Sequence, residues 1–336
     1  LVPWAEYEKT GNIHILEESY ESMKKYVNAC KFWANLIGVG KHRYIWHTSS
    51  VFHFGDWVSP DAEKMSEWQK RSKWTATASL RNTSLMLSNI AHILNKKEDE
   101  EYYFNFSNKV ADAYESIFTD KKGKLHNEFQ TGYVLPLQFN MFSEYNKKAA
   151  AYNLKKLVEK HNYCIGTGFP GTPYILFALV DNGYVKEAYK MLENTICPSW
   201  LYEVKVGATT IWERWDALDE NGECEIGDDG TGGMISFNHY ASGSVGDFLY
   251  RRVAGIEPIE CGYKKFLIKP VLGGTLTYAK AETKTSYGII KSDWKIENNK
   301  FKLIVTVPYG CEAKIVLPNG DTFIRTHGEY LFENDL

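Results

Sequence analysis

Near residue 254 the spacing of apolar residues changes from helical to strand-like, which divides the chain into a helical part and a β-rich part. Upstream, Leu16, Tyr20, Met23, Val27, Cys30, Ala34 and Ile37 step alternately by four and three residues. That spacing draws one apolar seam along a helix of several turns. A second stripe runs through Thr83, Leu87, Ile90 and Leu94, and a third through Tyr103, Phe106, Val110, Ala113 and Ile117. Shorter helical stretches are predicted near 131–141, 144–160, 172–182 and 184–195, with a last helix over 239–254. Gly- and Pro-bearing turns at Asp120–Gly123 and Gly166–Gly171 separate some of them. Consecutive helices on short connections favour antiparallel hairpins. No fixed-period sequence repeat points to a solenoid.

Downstream of Gly255 the runs 265–269, 275–280, 288–296, 301–307 and 313–317 are short and rich in Val, Ile, Thr and aromatic residues. Asn298-Asn299 and Pro318-Asn319-Gly320 supply turns between them. Strands gathered in one terminal block argue for a separate β-sandwich domain and against a βαβ unit. The expected organisation is therefore mainly α: a helical domain over 1–254 and a small β domain over 255–336.

Composition excludes several classes of function. The chain has 336 residues, with 39 Lys and Arg against 42 Asp and Glu, a formal net charge of −3. Such a balance lacks the footprint of a nucleic-acid binder. No apolar run approaches the roughly 20 residues needed to cross a bilayer, so no membrane partner is expected. Six cysteines, Cys30, Cys164, Cys197, Cys224, Cys261 and Cys311, are scattered without a C-x-x-C pair. They form neither a disulfide framework nor a zinc spacing, and reduced thiols suit a cytoplasmic location. Aromatic residues make up 15% of the chain. Most such rings fill cores, but tryptophan-lined clefts also suit hydroxyl-rich sugars.

Three stretches could carry chemistry. In Gly207-Ala208-Thr209-Thr210-Ile211-Trp212-Glu213-Arg214-Trp215-Asp216 an acid stands between two tryptophans. A carboxylate held rigid and partly desolvated there can serve as general base or general acid. A structural Glu paired with Arg214 has the same spacing. Phe54-Gly55-Asp56-Trp57-Val58-Ser59-Pro60 is a loop in which Trp57 could stack on a sugar and Asp56 bond to it; a capped helix start fits equally well. Ser236-Phe237-Asn238-His239-Tyr240 opens the last predicted helix, where a neutral His239 could donate to a hydroxyl or serve only structure. Gly166–Gly171 matches G-x-G-x-x-G, but Pro170 lies within it and no buried strand precedes it. The run Gly227–Gly233 lacks the G-K-[ST] of a phosphate loop, and His42, His47 and His53 are too loosely spaced for a metal. Neither a metal nor a cofactor is expected.

Together with Gly168-Phe169-Pro170-Gly171-Thr172, Pro198-Ser199-Trp200 and Leu249-Tyr250-Arg251-Arg252-Val253-Ala254-Gly255-Ile256, these segments resemble the characteristic run of bacterial α-L-rhamnosidases, glycoside hydrolase family 78. The resemblance is collinear over nearly the whole chain, and its Thr-Thr-x-Trp-Glu-x-Trp core is specific. It implies a catalytic (α/α)6 barrel followed by a β-sandwich, and inverting hydrolysis of terminal α-L-rhamnose. Glu213 falls on the family's general base, Trp57 on an aromatic that packs against the sugar, and His239 on a sugar contact. Asp56, Trp212 and Trp215 join them as expected binding residues.

One departure stands out. The family's general-acid motif, Asp-x-x-x-Arg-x-x-x-x-Gly-Trp-x-x-Asp, has no counterpart here. Roughly seven or eight helices are expected where a full barrel has twelve, so the chain reads as a C-terminal portion of the enzyme, lacking its first helices and its acid. An incomplete barrel would expose apolar faces, which invites self-association into a homo-oligomer. Asp56, Glu63 and Glu67 are the substitute donors if the chain is active alone, and Asp216 or Asp219 the substitute bases. Another inverting glycosidase or glycan lyase on the same barrel, or a non-catalytic carbohydrate-binding fragment, is the alternative reading.

Overall fold

The computed structural model describes residues 1–36, 38–47, 53–224, 233 and 235–336. Ile37 of the first seam and residues 227–232 of the Gly-rich run lie outside them. Two compact units form: Ser22–Val245, and Leu1–Glu21 together with Gly246–Leu336.

The helices, in chain order, are α1 (Val2–Thr10), α2 (His14–Asn35), α3 (Met65–Lys70), α4 (Ser72–Ile93), α5 (Lys97–Phe118), α6 (Gln130–Gln138), α7 (Glu144–Lys160), α8 (Ile175–Val180), α9 (Val185–Leu192) and α10 (Trp200–Lys205), followed by the short turns α11 (Tyr240–Gly243) and α12 (Val245–Phe248). Within Ser22–Val245, α4 and α5, α6 and α7, and α8 and α9 pair as hairpins, while α4, α6 and α8 pack against one another in succession. Composition explains which helices form that inner row. Helix α4 buries small residues, among them Ser72, Thr75, Ala76, Thr77, Ala78, Ser84, Ser88 and Ala91, so neighbouring backbones approach closely. All six residues of α8 and eight of the nine in α6 are buried. By contrast, α5 and α7 bury one stripe and expose charged residues on the other side. Acidic Glu98, Asp99 and Glu100 in the first turn of α5 suit the positive end of its dipole. The predicted seam of α2 meets these hairpins where Cys30 and Ala34 pack with Leu80, Phe106 and Val110.

The predicted helix over 239–254 is broken. It comprises α11, α12 and a π-type turn at Leu249–Val253, closed by the Ala254 N–H donating to the Leu249 carbonyl at 2.8 Å. Gly243 and Gly246 weaken the helical ladder there, and the Ser244 hydroxyl donates to the Ala241 carbonyl at 2.6 Å.

The second unit holds two four-stranded sheets, β1 (Ile256–Pro258), β2 (Lys265–Ile268), β6 (Glu312–Val316) and β7 (Thr322–Arg325) in the order β1-β2-β6-β7, and β3 (Tyr278–Thr285), β4 (Gly288–Glu297), β5 (Lys300–Val307) and β8 (Gly328–Asp335) in the order β3-β4-β5-β8. Phe266, Ile268, Ala313 and Ile315 of the first sheet and Ile290, Trp294, Phe301, Leu303 and Val305 of the second form the sandwich core. Trp294 Nε1 donates to the Val253 carbonyl and Ser292 Oγ to the Ala254 carbonyl, each at 2.7 Å. Helix α1, which shows no buried stripe, also lies in this unit. Glu8 pairs with Arg251 at 2.5 Å, and Lys9 donates to Thr283 at 2.6 Å. Helix α1 packs in this unit against the turn Cys261–Tyr263.

Candidate active site

The tryptophan-flanked acid is held from three sides. Helix α10 is capped by Ser199, whose Oγ accepts the Tyr202 N–H at 3.2 Å. One turn into that helix, Glu203 Oε2 accepts the Trp212 N–H at 3.1 Å. The segments 211–213 and 236–239 clasp through their backbones: the Glu213 N–H donates to the Ser236 carbonyl at 2.8 Å and the His239 N–H to the Ile211 carbonyl at 2.9 Å. Thr210 Oγ1 adds a bond to the Phe237 carbonyl. Trp212 packs edge-on against Phe237 at 5.6 Å, and Trp215 edge-on against Trp200 at 5.5 Å. Trp200 is itself fixed through its Nε1 to the Ser242 carbonyl at 2.9 Å.

Trp212 and Trp215 are 2% and 4% exposed, so both rings serve as anchors. Glu213 between them is only half-buried. No hydrogen bond or ion pair engages its carboxylate among the described residues, and the adjacent Arg214 pairs with Asp216 at 3.2 Å. An unengaged carboxylate on a rigid, partly desolvated segment is suited to accept a proton from water.

The Trp57 loop reaches the same place through residues far away in sequence. Asp56 is 0% exposed; its Oδ2 pairs with Arg71 at 3.1 Å and its Oδ1 accepts the Gly168 N–H at 3.0 Å. Arg71 also holds Asp61, and donates to Ser59 Oγ at 2.9 Å. Burial raises the Asp56 pKa to about 6, with the Arg71 charge opposing the shift. Next to it the Phe169 N–H donates to the Trp57 carbonyl at 2.9 Å. Gly168 is required at this crossing, because a Cβ there would lie 2.4 Å from the Trp57 carbonyl oxygen. The Phe169 ring stacks on His239 with centroids 4.4 Å apart. His239 Nδ1 accepts the Ala241 N–H at 3.3 Å, which places the proton of a neutral ring on Nε2. Contacts thus run from Trp57 through Phe169 and His239 to Ile211, two residues before Glu213.

The structure sorts the expected residues. Trp57 is half-buried, edge-on to Trp68 at 5.4 Å and to Phe54 at 5.0 Å, and keeps surface for a ligand. Asp56 keeps none and supports the loop from beneath. Beside the segment lies a cavity of about 340 Å³, lined by Glu63, Trp68, Pro198, Arg214, Trp215 and Asp216 among others. Glu213, Trp57 and His239 do not line it. Glu67 accepts the Glu63 N–H at 3.1 Å, and Asp219 closes a turn onto the Asn221 and Glu223 amides, each at 2.8 Å. Sequence reasoning did not single out Arg71 or Glu203, because nothing in their local spacing marks them. Among the described residues no group of three His, Cys, Asp or Glu is placed to hold a metal, and no helix is long and apolar enough to cross a membrane.

Comparison with known proteins matches residues 1–253 to the bacterial alpha-L-rhamnosidase six-hairpin glycosidase domain and residues 255–331 to the bacterial alpha-L-rhamnosidase C-terminal domain. An alpha-L-rhamnosidase of Formosa agariphila is 35% identical over 326 residues, 96% of this chain and 33% of the relative. Another, of Streptomyces avermitilis, is 30% identical over 341 residues, 99% of this chain and 30% of the relative. The chain thus spans about a third of the length of these relatives. Among solved structures, native alpha-L-rhamnosidase from Aspergillus terreus superposes with a TM-score of 0.89 at 33% identity, over 99% of this chain and 38% of that one. The Streptomyces avermitilis enzyme complexed with L-rhamnose gives 0.88 at 28% identity, over 99% and 32%. The matches to both domain models over residues 1–253 and 255–331, together with relatives at 30–35% identity across the chain, place it in the bacterial alpha-L-rhamnosidase family.

Proposed function

We propose that this protein serves the hydrolysis of terminal α-L-rhamnose from rhamnosides with inversion, and that Glu213 is the general base. The observation that carries this reading is the half-buried, unengaged Glu213 carboxylate on a segment fixed by two buried tryptophans. Crystallisation of the Streptomyces avermitilis relative with L-rhamnose supports the choice of sugar. Glu213 takes a proton from the water that attacks the anomeric carbon. Inversion needs the two carboxyls about 6.5–9.5 Å apart to admit that water. Trp57 packs on the apolar face of the sugar, and His239 Nε2–H donates to a ring hydroxyl, its plane fixed by Phe169. The family's general-acid motif has no counterpart in these 336 residues, so none of them is assigned that role.

Glu213→Gln keeps the shape and removes the base. In the full-length enzyme, turnover of p-nitrophenyl α-L-rhamnopyranoside should fall by about 10² to 10⁴, with KM little changed. Proton NMR of the released sugar should show the β anomer first. Loss of less than tenfold would move the base elsewhere, with Asp216 at the cavity rim next in line, and first release of the α anomer would exclude inversion.

A further inference from the structure

Glu203 is an acid of the site to which the reading above gives no part in the reaction. Its side chain is 2% exposed on α10, directly beneath the segment that bears Glu213. Oε2 accepts the Trp212 N–H at 3.1 Å, and Oε1 is buried with no hydrogen-bond partner among the described residues. No cation pairs with it there. The neighbouring titratable group is the Cys197 thiol, itself kept protonated by burial, its pKa pushed up to about 12. A buried carboxyl with one oxygen engaged and one bare is an unusual choice for a position that only needs filling, because an apolar residue would leave nothing unsatisfied.

We propose that Glu203 is a positioning residue: its carboxyl fixes the Trp212 amide, and so the direction in which the Glu213 side chain leaves the backbone. Two successive peptide units, 211–212 and 212–213, are then each held by a hydrogen bond. The Trp212 N–H is bound by Glu203 from below, and the Glu213 N–H by the Ser236 carbonyl from the side. With both amides fixed, the direction of the Glu213 side chain is restricted to its own rotamers, as a base aimed at one water requires. Glu203 does this as the neutral acid through most of the physiological range, since burial raises its pKa to about 8 against the opposing Trp212 bond. Above that pH a second negative charge appears one residue from the base, in a buried site with a single donor. The Trp212 bond tightens, but burial of the uncompensated charge outweighs it, and the segment that aims Glu213 opens more readily.

This inference rests on Glu213 as the base, and the experiment separates the two. In the full-length enzyme, Glu203→Leu should lower kcat by about tenfold or more while KM changes less than threefold. Glu203→Gln, which keeps the acceptor and cannot ionise, should recover most of that loss. The general acid gives the full-length enzyme an alkaline limb of its own, so the signature is the ratio of wild-type to Glu203→Gln kcat, which should fall as pH rises through about 8. A ratio that does not change with pH, or a Gln variant as impaired as the Leu variant, overturns the proposal. Should Glu203→Leu fail to fold, Glu203→Gln and wild type still decide the matter. Hydrogen exchange of the Trp212 amide, corrected for its intrinsic pH dependence, should then rise about tenfold between pH 5 and pH 8 in wild type only. Unchanged exchange overturns the proposal. The Trp212 amide readout stands whether or not Glu213→Gln abolishes turnover, so failure of the base assignment is seen on its own.

Discussion

At the scale of single residues, acids of one chemical type have been given different work by burial. Among the described residues Glu213 keeps partial exposure and no carboxylate partner, Asp56 is sealed against Arg71, and Glu203 is sealed with one donor. Sequence spacing singled out Glu213 because two tryptophans flank it. Asp56 was also legible as a functional position, but its work is done from beneath the loop: its partners Arg71 and Gly168 lie 15 and 112 residues away. Removing it should therefore hurt folding before binding. Asp56→Ala leaves a mostly buried guanidinium and the Gly168 amide without their acceptor, and should destabilise the chain by about 3 kcal/mol, with Asp61 retaining part of the Arg71 interaction. Urea unfolding monitored by tryptophan fluorescence measures this directly. A loss under about 1 kcal/mol would show that Asp61 and Ser59 hold the arginine without it.

At the scale of elements, the site is built by loops joined through backbone bonds and by short caps on helices. The long amphipathic helices were readable because a 3.6-residue period survives any tertiary context. The 144–160 prediction coincides with α7. Short α3 and α10 and the loop crossings were not readable, since fewer than two turns leave no period to detect. Nor was α1, which buries no stripe. The crossing at Gly168 shows how little slack such a site has. A methyl group there would meet the Trp57 and Asp56 carbonyl oxygens at 2.4 and 2.6 Å, both in backbone that cannot rotate away. Gly168→Ala should cost about 2–3 kcal/mol in thermal or urea unfolding. It should also weaken L-rhamnose binding by displacing Trp57 and Phe169, a loss that calorimetric titration would register. Unchanged affinity would mean that Trp57 does not contact the sugar.

At the scale of the whole molecule, two buried acids with raised pKa values give stability a defined pH dependence. Burial lifts Asp56 from its ordinary value to about 6 and Glu203 to about 8. Each therefore binds its proton more tightly folded than unfolded. Their contribution is fully present below about pH 4 and is lost as pH rises through 6 for Asp56 and through 8 for Glu203. Stability measured by urea midpoint should fall from pH 5 to pH 8.5. The wild-type advantage over Glu203→Gln should shrink across pH 6–8, at most about 1.4 kcal/mol per pH unit. A difference between the two that stays constant with pH would show Glu203 ionised throughout.

The sequence by itself determined the helical and β-rich parts, the location of Glu213, Trp57 and His239 in three separate segments, and the family those segments resemble. These are properties of local order: apolar period, turn residues and short motifs are written within a few residues of one another. Only the tertiary structure decided that Asp56 faces inward, that Phe169 links Trp57 to His239, that α1 sits with the sheets, and that Glu203 lies under the base. Each of those depends on contacts between residues separated by anything from 9 to about 240 positions. The free energy of such a contact comes from burial and from the partners burial provides, and neither is defined until the chain has folded.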